Sequence, residues 1–432
     1  MNNIENGDWS IHELSELTTK IIDGTHFTPI YTTEGVPFLR VTDIHSTYID
    51  LEKVKYISSE EHNELIKRSK PEVGDLLLSK NGTIGKVKIV DWEWEFSIFV
   101  SLALIKPKRD LIDAKYLKHV LSSDSVWQQI RLRAKQGAVT NLHLEEIREF
   151  KIPLPPMDQQ ERIAKVLDTL DGFIIKTQQV IDKFCLVKKG MMHDLFSRGV
   201  TVDDTSEING SFNQLRLSIE ESPELYEKID DDWLPLEWRS VKLEEVLTCL
   251  IDYRGKTPTK TSSGIPLITA KNVKFGYIDR EPREFIAFDS YDDWMTRGIP
   301  DKGDILFTTE APLGNVAQID TEERIAFAQR VIILKTNKFC NSEFLKYLLM
   351  SEQFRKKIFS SGSGSTVEGI KQSAFKKIRV LLPRSIKEQA QIATMLDAIS
   401  ENIDSEENTL NKYMNIKKGL MQDLLTGKVK VN

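Results

Sequence analysis

The chain of 432 residues is too long for one ordinary core, and with 40% hydrophobic and 29% charged residues it has the composition of a globular protein, so two or more domains are expected. Its formal net charge of -6 does not favour nucleic acid, which selects basic surfaces. The charge is uneven, because residues 201–232 hold ten acidic and two basic residues while the rest of the chain is close to neutral, so charge neither supports nor excludes DNA binding.

The N-terminal residues, MNNIENGDWS, contain neither the basic region nor the apolar stretch of an export signal. No apolar run in the chain approaches the ~20 residues that a membrane span needs. Cys185, Cys249 and Cys340 lack CxxC spacing, which indicates a reducing compartment. We therefore expect a cytoplasmic protein.

Residues 9–150 mix strand-like and helix-like stretches. GDLLLSK (74–80) and GKVKIVD (85–91) flank the pair Asn81-Gly82, which predicts a β-hairpin. FSIFVSLALIK (96–106) indicates one buried strand, and DAKYLKHVLSS (113–123) indicates a helix with Asp113 as its N-cap. These signals predict a globule of mixed α and β structure.

A long helix is predicted after the prolines of PLPP (153–156), because apolar residues then recur with 4-3 spacing and the next proline is Pro223. Thr177 and Lys188 occupy the two other positions of this heptad seam. The pattern is typical of a coiled coil, and a helix of about 35 residues would be on the order of 50 Å long. The apolar seam positions are Ile163, Leu167, Leu170, Ile174, Ile181, Phe184, Met191 and Leu195.

The chain then repeats itself at an offset of 229 residues, with a one-residue slip to 228 that pairs Ser123 with Ser351 and Pro155 with Pro383 before the offset returns to 229 at Gln160 and Gln389. KKGMMHDL (188–195) recurs as KKGLMQDL (417–424), and GDLLLSKNGTIGKVKIVD (74–91) falls on GDILFTTEAPLGNVAQID (303–320). GVPFLRVTDIHSTYID (35–50) likewise falls on GIPLITAKNVKFGYID (264–279). A period this long predicts two copies of one domain rather than an array of small repeats.

In the second copy, RIAFAQRVIILK (324–335) indicates a buried strand, and NSEFLKYLLMS (341–351) indicates a helix capped by Asn341. A second heptad seam follows, with Glu406 and Lys417 in its polar positions. Its apolar positions are Ile392, Leu396, Ile399, Ile403, Leu410, Tyr413, Leu420 and Leu424.

The two seam lysines indicate the direction in which the long helices pair. A parallel, in-register pair would place Lys188 against Lys417, an uncompensated contact of like charges. An antiparallel pair separates them and relates the two globules by a pseudo-two-fold axis. We favour the antiparallel pair; the alternative is that each helix folds back on its own globule.

PLPPMDQQERIAKVLD (153–168), LLPRSIKEQAQIATMLD (381–397), LPLEW (234–238) and the helix ends KKGMMHDLF and KKGLMQDLLTGK carry a family resemblance. Over the whole chain except 201–232, the sequence resembles the specificity subunit of type I restriction-modification systems. In the first copy the family's Glu-Gln pair appears as Gln159-Gln160.

The resemblance implies an α+β fold with two pseudo-symmetric, α/β-mixed target-recognition domains joined by two long helices in an antiparallel coiled coil. The expected boundaries are target-recognition domain 1 at 1–152, the central helix at 153–198, an acidic linker at 199–236, target-recognition domain 2 at 237–380 and the C-terminal helix at 381–432. We expect the linker to be a solvated tether.

The resemblance also implies a role without chemistry. Each globule would read one half of a bipartite, gapped site in double-stranded DNA. The helices would hold two modification subunits, which methylate adenine, and the full complex would add restriction subunits that translocate and cut DNA. The octapeptide would recur because both helices offer the same face to two copies of one partner.

The sequence motifs that catalysis would need are incomplete in this chain, which agrees with a role without chemistry. PLPP lacks the acid and the aromatic residue of the motif with which methyltransferases bind adenine, and NGTIGK (81–86) is too short for a phosphate-binding loop. The seven histidines lack HxxxH or Cys/His spacing, and Pro300-Asp301 lacks a correctly spaced nuclease partner. We expect no catalytic residue, no metal site and no cofactor in this chain.

Candidate DNA contacts lie where the two copies share a scaffold but differ in side chains, because polar groups read base edges while basic groups bind phosphate. The candidates for phosphate contact are the basic residues Arg131, Arg133 and Lys135 in the first copy and the basic residues at 355–357 in the second. The alternative is that these are ordinary solvated loops. The candidates are Arg40, Thr42, Lys80, Asn81, Lys86, Arg131, Arg133, Lys135, Gln136, Thr140 and Asn141 in the first copy, and Thr269, Lys271, Asn272, Thr309, Glu310, Asn315, Arg355, Lys356, Ser363, Ser365, Thr366 and Lys371 in the second.

Two other functions stay open at this point. One is a non-catalytic protein-binding scaffold with two recognition globules on a coiled-coil rod, which the near-neutral charge favours. The other is a self-contained restriction enzyme, which the chain length and the missing motifs disfavour.

Overall fold

A computed structural model describes residues 9–45, 48–133, 141–202, 214–229, 232–253, 257–360 and 369–429. The chain forms two compact units, residues 1–181 with 406–432 and residues 182–405. Among the described residues no helix is both long and apolar enough to span a membrane.

Within its described residues, the first unit contains ten strands and four short helices, followed by the long helix α5, which continues into the second unit. The strands are β1 Ser10–Glu13, β2 Thr18–Asp23, β3 Tyr31–Thr32, β4 Val36–Leu39, β5 Lys55–Ile57, β6 Leu76–Ser79, β7 Val87–Ile89, β8 Ser97–Ile98, β9 Leu102–Pro107 and β10 Lys151–Leu154. The helices are α1 Ser59–Ile66, α2 Ala114–Leu121, α3 Asp124–Arg133, α4 Leu144–Arg148 and α5 Met157–Ser197, with a 3-10 turn at Val41–Ile44.

The second unit repeats most of this order, with two additional strands at its start. Its strands are β11 Tyr226–Ile229, β12 Asp232–Pro235, β13 Trp238–Lys242, β14 Leu247–Asp252, β15 Ile265–Ile268, β16 Phe285–Ile286, β17 Ile305–Thr308, β18 Val316–Gln318, β19 Ala326–Phe327, β20 Val331–Thr336 and β21 Arg379–Pro383. Its helices are α6 Tyr291–Trp294, α7 Ser342–Met350, α8 Glu352–Ser360, α9 Gln372–Lys377 and α10 Ile386–Leu424, with 3-10 turns at Pro223–Leu225, Leu243–Val246 and Phe288–Ser290.

The two globules have the same main sheet. In the first unit the order is β2-β9-β6-β7, and in the second it is β14-β20-β17-β18, with all neighbours antiparallel. The predicted hairpin is confirmed in both copies, because Leu76 pairs with Ile89 and Ile305 pairs with Gln318. The duplication read from the sequence is therefore a duplication of topology.

Two strand predictions were wrong in their extent. The run 96–106 forms β8 and β9 rather than one strand, and 324–335 forms β19 and β20. The break has a tertiary cause: β8 pairs in parallel with β4 in a second sheet, while β9 pairs with β2 and β6 in the main sheet. A turn must separate two strands that belong to different sheets.

The predicted helix caps are confirmed. The Asp113 side chain accepts a hydrogen bond from Tyr116 N at 2.7 Å, and Asn341 accepts one from Phe344 N at 2.8 Å. Both bonds satisfy a backbone N–H that the first turn of a helix leaves without a partner.

The long helices pair in the antiparallel direction. In the first unit, Ile163 and Leu167 near the start of α5 share a core with Leu424 and Leu425 at the end of α10. In the second unit, Leu195 at the end of α5 shares a core with residues near the start of α10, Ile392, Ala393 and Leu396. The helices have 41 and 39 residues, so both exceed the predicted length.

Each seam lysine is compensated within its own unit. The ammonium group of Lys417 donates to Asp171 in the first unit. In the second unit, Lys188 Nζ lies 5.4 Å from the ring centroid of Tyr347. Burial lowers the pKa of Lys188, and the charge of Asp404 opposes that shift. Antiparallel pairing therefore gives each lysine its own partner rather than the other lysine.

The described part of the acidic segment is not a solvated tether, so that expectation was wrong for these residues. Strands β11 and β12 form an antiparallel pair, and Leu215 bridges to Val200. Arg216 is buried and pairs with Glu388 at 2.7 Å. The segment is anchored because a guanidinium group removed from water requires a carboxylate partner.

Candidate nucleic-acid interface

In the first unit, the segments in which the copies differ are joined at one edge of the globule. At the hairpin tip that follows β6, Lys80 N donates to Ser101 O at 2.9 Å and Lys80 O accepts from Leu142 N at 2.8 Å. Asn81 forms an isolated bridge with Asn141. Val41 N donates to the Ser101 hydroxyl oxygen at 3.2 Å, which adds the segment after β4.

The second unit has the same construction from different side chains. Thr309 N donates to Arg330 O at 3.0 Å, and Ile370 N donates to Thr309 O at 2.9 Å. Glu310 bridges to Gly369, and the Asn315 side-chain amide donates to Val273 O at 2.8 Å. The structure therefore places matching variable segments side by side in each globule.

Several candidates from the first copy are exposed and able to meet a ligand. Thr42, Lys86, Arg131 and Asn141 are all exposed. Arg40 is partly buried and bonds through two nitrogens to Asp43, both at 3.1 Å; this hydrogen bonding raises the pKa of Arg40. The exposed residues present polar and basic groups, as a DNA-binding surface requires.

Lys80 and Asn81 are less accessible. Lys80 is buried and its ammonium group lies 3.3 Å from Asp23, so its charge is already paired. Asn81 is partly buried, and its Oδ1 atom has no hydrogen-bond partner among the described residues. A DNA contact by Lys80 would require its ion pair to open, and this role stays a prediction.

The second copy divides in the same way. Lys271, Glu310, Lys356 and Lys371 are exposed. Asn272 is buried, and its Oδ1 accepts bonds from Thr269 N at 3.0 Å and from the Thr269 hydroxyl at 2.8 Å. That pair shapes the turn after β15, and direct reading by Asn272 would break these bonds.

Three further second-copy candidates have defined surroundings. Thr309 is buried, and Asn315 is partly buried with its amide bonded as described above. The Arg355 guanidinium lies 5.1 Å from the ring of Phe275 and 5.7 Å from the ring of Phe359, and both rings are exposed. Arg355 is thus held between two aromatic faces.

Six candidates lie outside the described residues: Lys135, Gln136, Thr140, Ser363, Ser365 and Thr366. Arg133 ends α3, but its side chain is outside the described part. Their roles stay predictions.

Sequence reasoning missed Arg330. This residue lies in the turn before β20, at the position that Ser101 occupies in the first copy. Its φ of 75° is a left-handed conformation that is uncommon for a side-chain-bearing residue. Its guanidinium lies 3.6 Å from the carboxylate of Glu310 at the hairpin tip. The signal that could have revealed it in the sequence is a basic residue whose counterpart in the first copy, Ser101, carries no charge.

One group among the described residues has metal-ligand geometry, since ligand atoms of His119, Asp168 and Asp171 lie within 4.8 Å of one another. Lys118 Nζ lies 3.0 Å from Asp168 and 3.4 Å from Asp171, and Lys417 also pairs with Asp171. These ammonium groups already supply the positive charge that a cation would bring, so we interpret the group as an ion-pair network.

The same network shifts two pKa values. Burial raises the pKa of Asp168, but hydrogen bonds from His119 and Lys118 outweigh burial and hold it well below its usual range. Burial lowers the pKa of His119, against the opposing hydrogen bond to Asp168. Asp168 is therefore ionised, and His119 resists protonation.

Residues 6–183 and 235–413 each match the family model of the type I restriction modification DNA specificity domain. The chain belongs to this family. As a specificity subunit it carries two DNA specificity domains, and it is a non-catalytic component of the type I restriction-modification complex, in which such subunits bind DNA.

Relatives cover most of the specificity subunit. It is 26% identical over 384 residues to the type I restriction enzyme MjaVIII specificity subunit of Methanocaldococcus jannaschii, across 87% of this chain and 81% of the relative. It is 20% identical over 399 residues to the EcoKI specificity subunit of Escherichia coli, across 90% of this chain and 81% of the relative.

Solved structures share the fold of the specificity subunit. The S subunit of a type I restriction-modification system from M. genitalium has a TM-score of 0.59 at 15% identity, covering 97% of this chain and 96% of that one. A chain from a study of complex assembly and conformational transition of the type I R-M system has a TM-score of 0.52 at 16% identity, covering 98% and 99%.

Proposed function

We propose that this specificity subunit reads a bipartite, gapped site in double-stranded DNA, one half-site with each globule. The observation that carries this proposal is that the hairpin tip meets the matching variable segments in each of the two globules. The same three segments meet in both units, and they carry different exposed side chains, such as Lys86 in one and Glu310 in the other. A shared frame with divergent polar groups suits two different half-sites.

The proposed partners are two modification subunits that methylate adenine, with restriction subunits added in the full complex. Support comes from the repeated octapeptide, which lies near the C-terminal end of both α5 and α10. Because the two helices repeat the same residues, they offer equivalent surfaces to two copies of one partner. We further propose that this chain itself holds no cofactor and works in the cytoplasm, where its three free cysteines would stay reduced.

The test is to co-express the chain with the modification subunit of its own genome in a host without adenine methylation, and to map methylated adenines. We expect a two-part, gapped motif that vanishes when this chain is deleted. A motif that persists without this chain would contradict the proposal. Absence of any motif, with an active modification subunit, would instead favour a protein-binding scaffold.

A further inference from the structure

The tip of the second hairpin carries a carboxylate, which DNA phosphates would repel if this tip faces DNA. Glu310 follows the tip residue Thr309, is exposed, and replaces the neutral Asn81 of the first copy. Phosphate groups repel a carboxylate, so a DNA-facing acid needs a donor on a base. In the major groove the amino group of cytosine is such a donor, and Glu accepts from it.

Arg330 adds a second reading group beside this carboxylate. Its guanidinium lies 3.6 Å from Glu310, and both side chains are about half exposed, at 47% and 48%. An exposed pair of this kind adds little to stability. Fold stability therefore does not explain why a charged pair stands at this tip.

The backbone of Arg330 supports a functional role. Both copies make the same bond across the turn, from Thr309 N to Arg330 O at 3.0 Å and from Lys80 N to Ser101 O at 2.9 Å. Arg330 makes it with a φ of 75°, whereas Ser101 is not among the described residues with positive φ. The bond itself thus does not demand the unfavourable conformation, and strain of this kind is concentrated at binding sites.

We propose that Arg330 and Glu310 together read one G·C base pair in the second half-site. The Arg330 fork donates to O6 and N7 of guanine, and Glu310 accepts from N4 of the paired cytosine, which matches the chemistry of the two edges. In the unbound chain the two groups neutralise each other. This inference rests on the proposed function, because it assumes that the second globule faces DNA.

The test maps methylation by complexes that contain Arg330→Ala, Arg330→Lys or Glu310→Gln. We expect all three to relax the same single position of the second half-motif, with discrimination at that base pair reduced about 10-fold to 100-fold for Arg330→Ala. The half of the motif that the first globule reads serves as an internal control and should stay unchanged. Arg280→Ala is the matched variant, because Arg280 forms an exposed pair with Asp320 at 2.6 Å beyond the open end of the same hairpin.

The outcomes distinguish failure of base reading by Arg330 and Glu310 from failure of the proposed function. If the wild-type chain directs a gapped motif and the variants at 310 and 330 direct the same motif unrelaxed, the pair does not read DNA while the proposed function stands. If the wild-type chain directs no motif, the proposed function fails first. Should Arg330→Ala abolish methylation altogether, Arg330→Lys decides, since it keeps the charge but loses the fork; an unrelaxed motif then overturns the proposal.

Discussion

At the scale of single residues, Gln159 and Glu388 show why one duplicated position holds different side chains. Each accepts a hydrogen bond from the matching tryptophan, Trp9 at 3.1 Å and Trp238 at 3.0 Å. Glu388 also accepts from both terminal nitrogens of the buried Arg216, at 2.7 and 3.0 Å. Arg216 belongs to the segment that occurs once in the chain. A neutral amide at the partly buried position 159 thus avoids a carboxylate that would have no cation beside it.

Removing Arg216 is expected to destabilise the protein strongly. Arg216→Met would leave Glu388 buried and unpaired, at a cost of about 3–5 kcal/mol in the free energy of unfolding, measured by denaturant titration. Adding Glu388→Gln should recover much of the loss, because it reproduces the neutral residue of the first copy. Arg280→Ala, which breaks an exposed pair, should cost about 0–1 kcal/mol. Equal losses for the two arginine variants would contradict the buried ion pair.

His119 gives the first unit a pH dependence that the second unit lacks at the matching place, where Tyr347 donates to Asp397 at 2.6 Å. Burial lowers the pKa of His119 from 6.5, so the unfolded chain takes up a proton before the folded one does. The stability that neutral His119 contributes is complete above pH 6.5 and is lost as the pH falls below that value.

We expect His119→Tyr to flatten the fall in unfolding free energy as the pH drops below 6.5, relative to the wild-type chain. The substitution copies the residue that the second unit already accommodates beside an aspartate. Asp168 does not interfere in this range, because its pKa is held well below its usual value. Parallel pH curves for the variant and the wild-type chain would show that His119 is not the titrating group.

At the scale of elements, the sequence predicted what depends on local signals. The heptad seams and the caps at Asp113 and Asn341 follow from residues close together in the chain, and the direction of the helix pair follows from comparing Lys188 and Lys417 in the two seams. The division of 96–106 into β8 and β9 did not follow, because the choice of sheet depends on partners as distant as β4 and β2. Likewise, burial of Lys80 depends on Asp23, which no local pattern links to it.

Two helical glycines test the proposed docking of modification subunits. Gly190 and Gly419 hold the same place in the repeated octapeptide, and a Cβ at either would meet no described atom within 4 Å outside its own helix backbone. Alanine there should therefore stabilise each helix by about 1 kcal/mol. Packing within the chain does not account for glycine at both positions, whereas the close approach of a partner would.

We expect Gly190→Ala and Gly419→Ala to raise the melting temperature of the isolated chain and to weaken its binding to the modification subunit. Titration by calorimetry and thermal unfolding measure the two effects separately. Gly172→Ala is the control, because Gly172 is also helical and open but lies outside the octapeptide. Unchanged affinity in both octapeptide variants would remove these positions from the docking surface.

At the scale of the whole molecule, the proposed function together with the duplication predicts that the choice of bases and the distance between half-sites depend on different parts of the chain. The variable tips lie within single units, between strands of matching register, Leu77 with Lys88 and Leu306 with Ala317. The helices α5 and α10, in contrast, each contribute to both units. Bases and spacer length should therefore be altered by different changes in the chain.

Exchanging the tips NGTIG (81–85) and EAPLG (310–314) tests this separation. Both end in a glycine of positive φ, at 82° for Gly85 and 85° for Gly314, so the last residue of each tip can close the other hairpin, and Ala311, with a φ of 42°, is exchanged together with the rest of its own tip. We expect both halves of the methylated motif to change while the number of base pairs between them stays the same, because the helices are untouched. A changed spacer would show that the tips also set the geometry of the site, and two unchanged halves would place base reading in other segments of the globules.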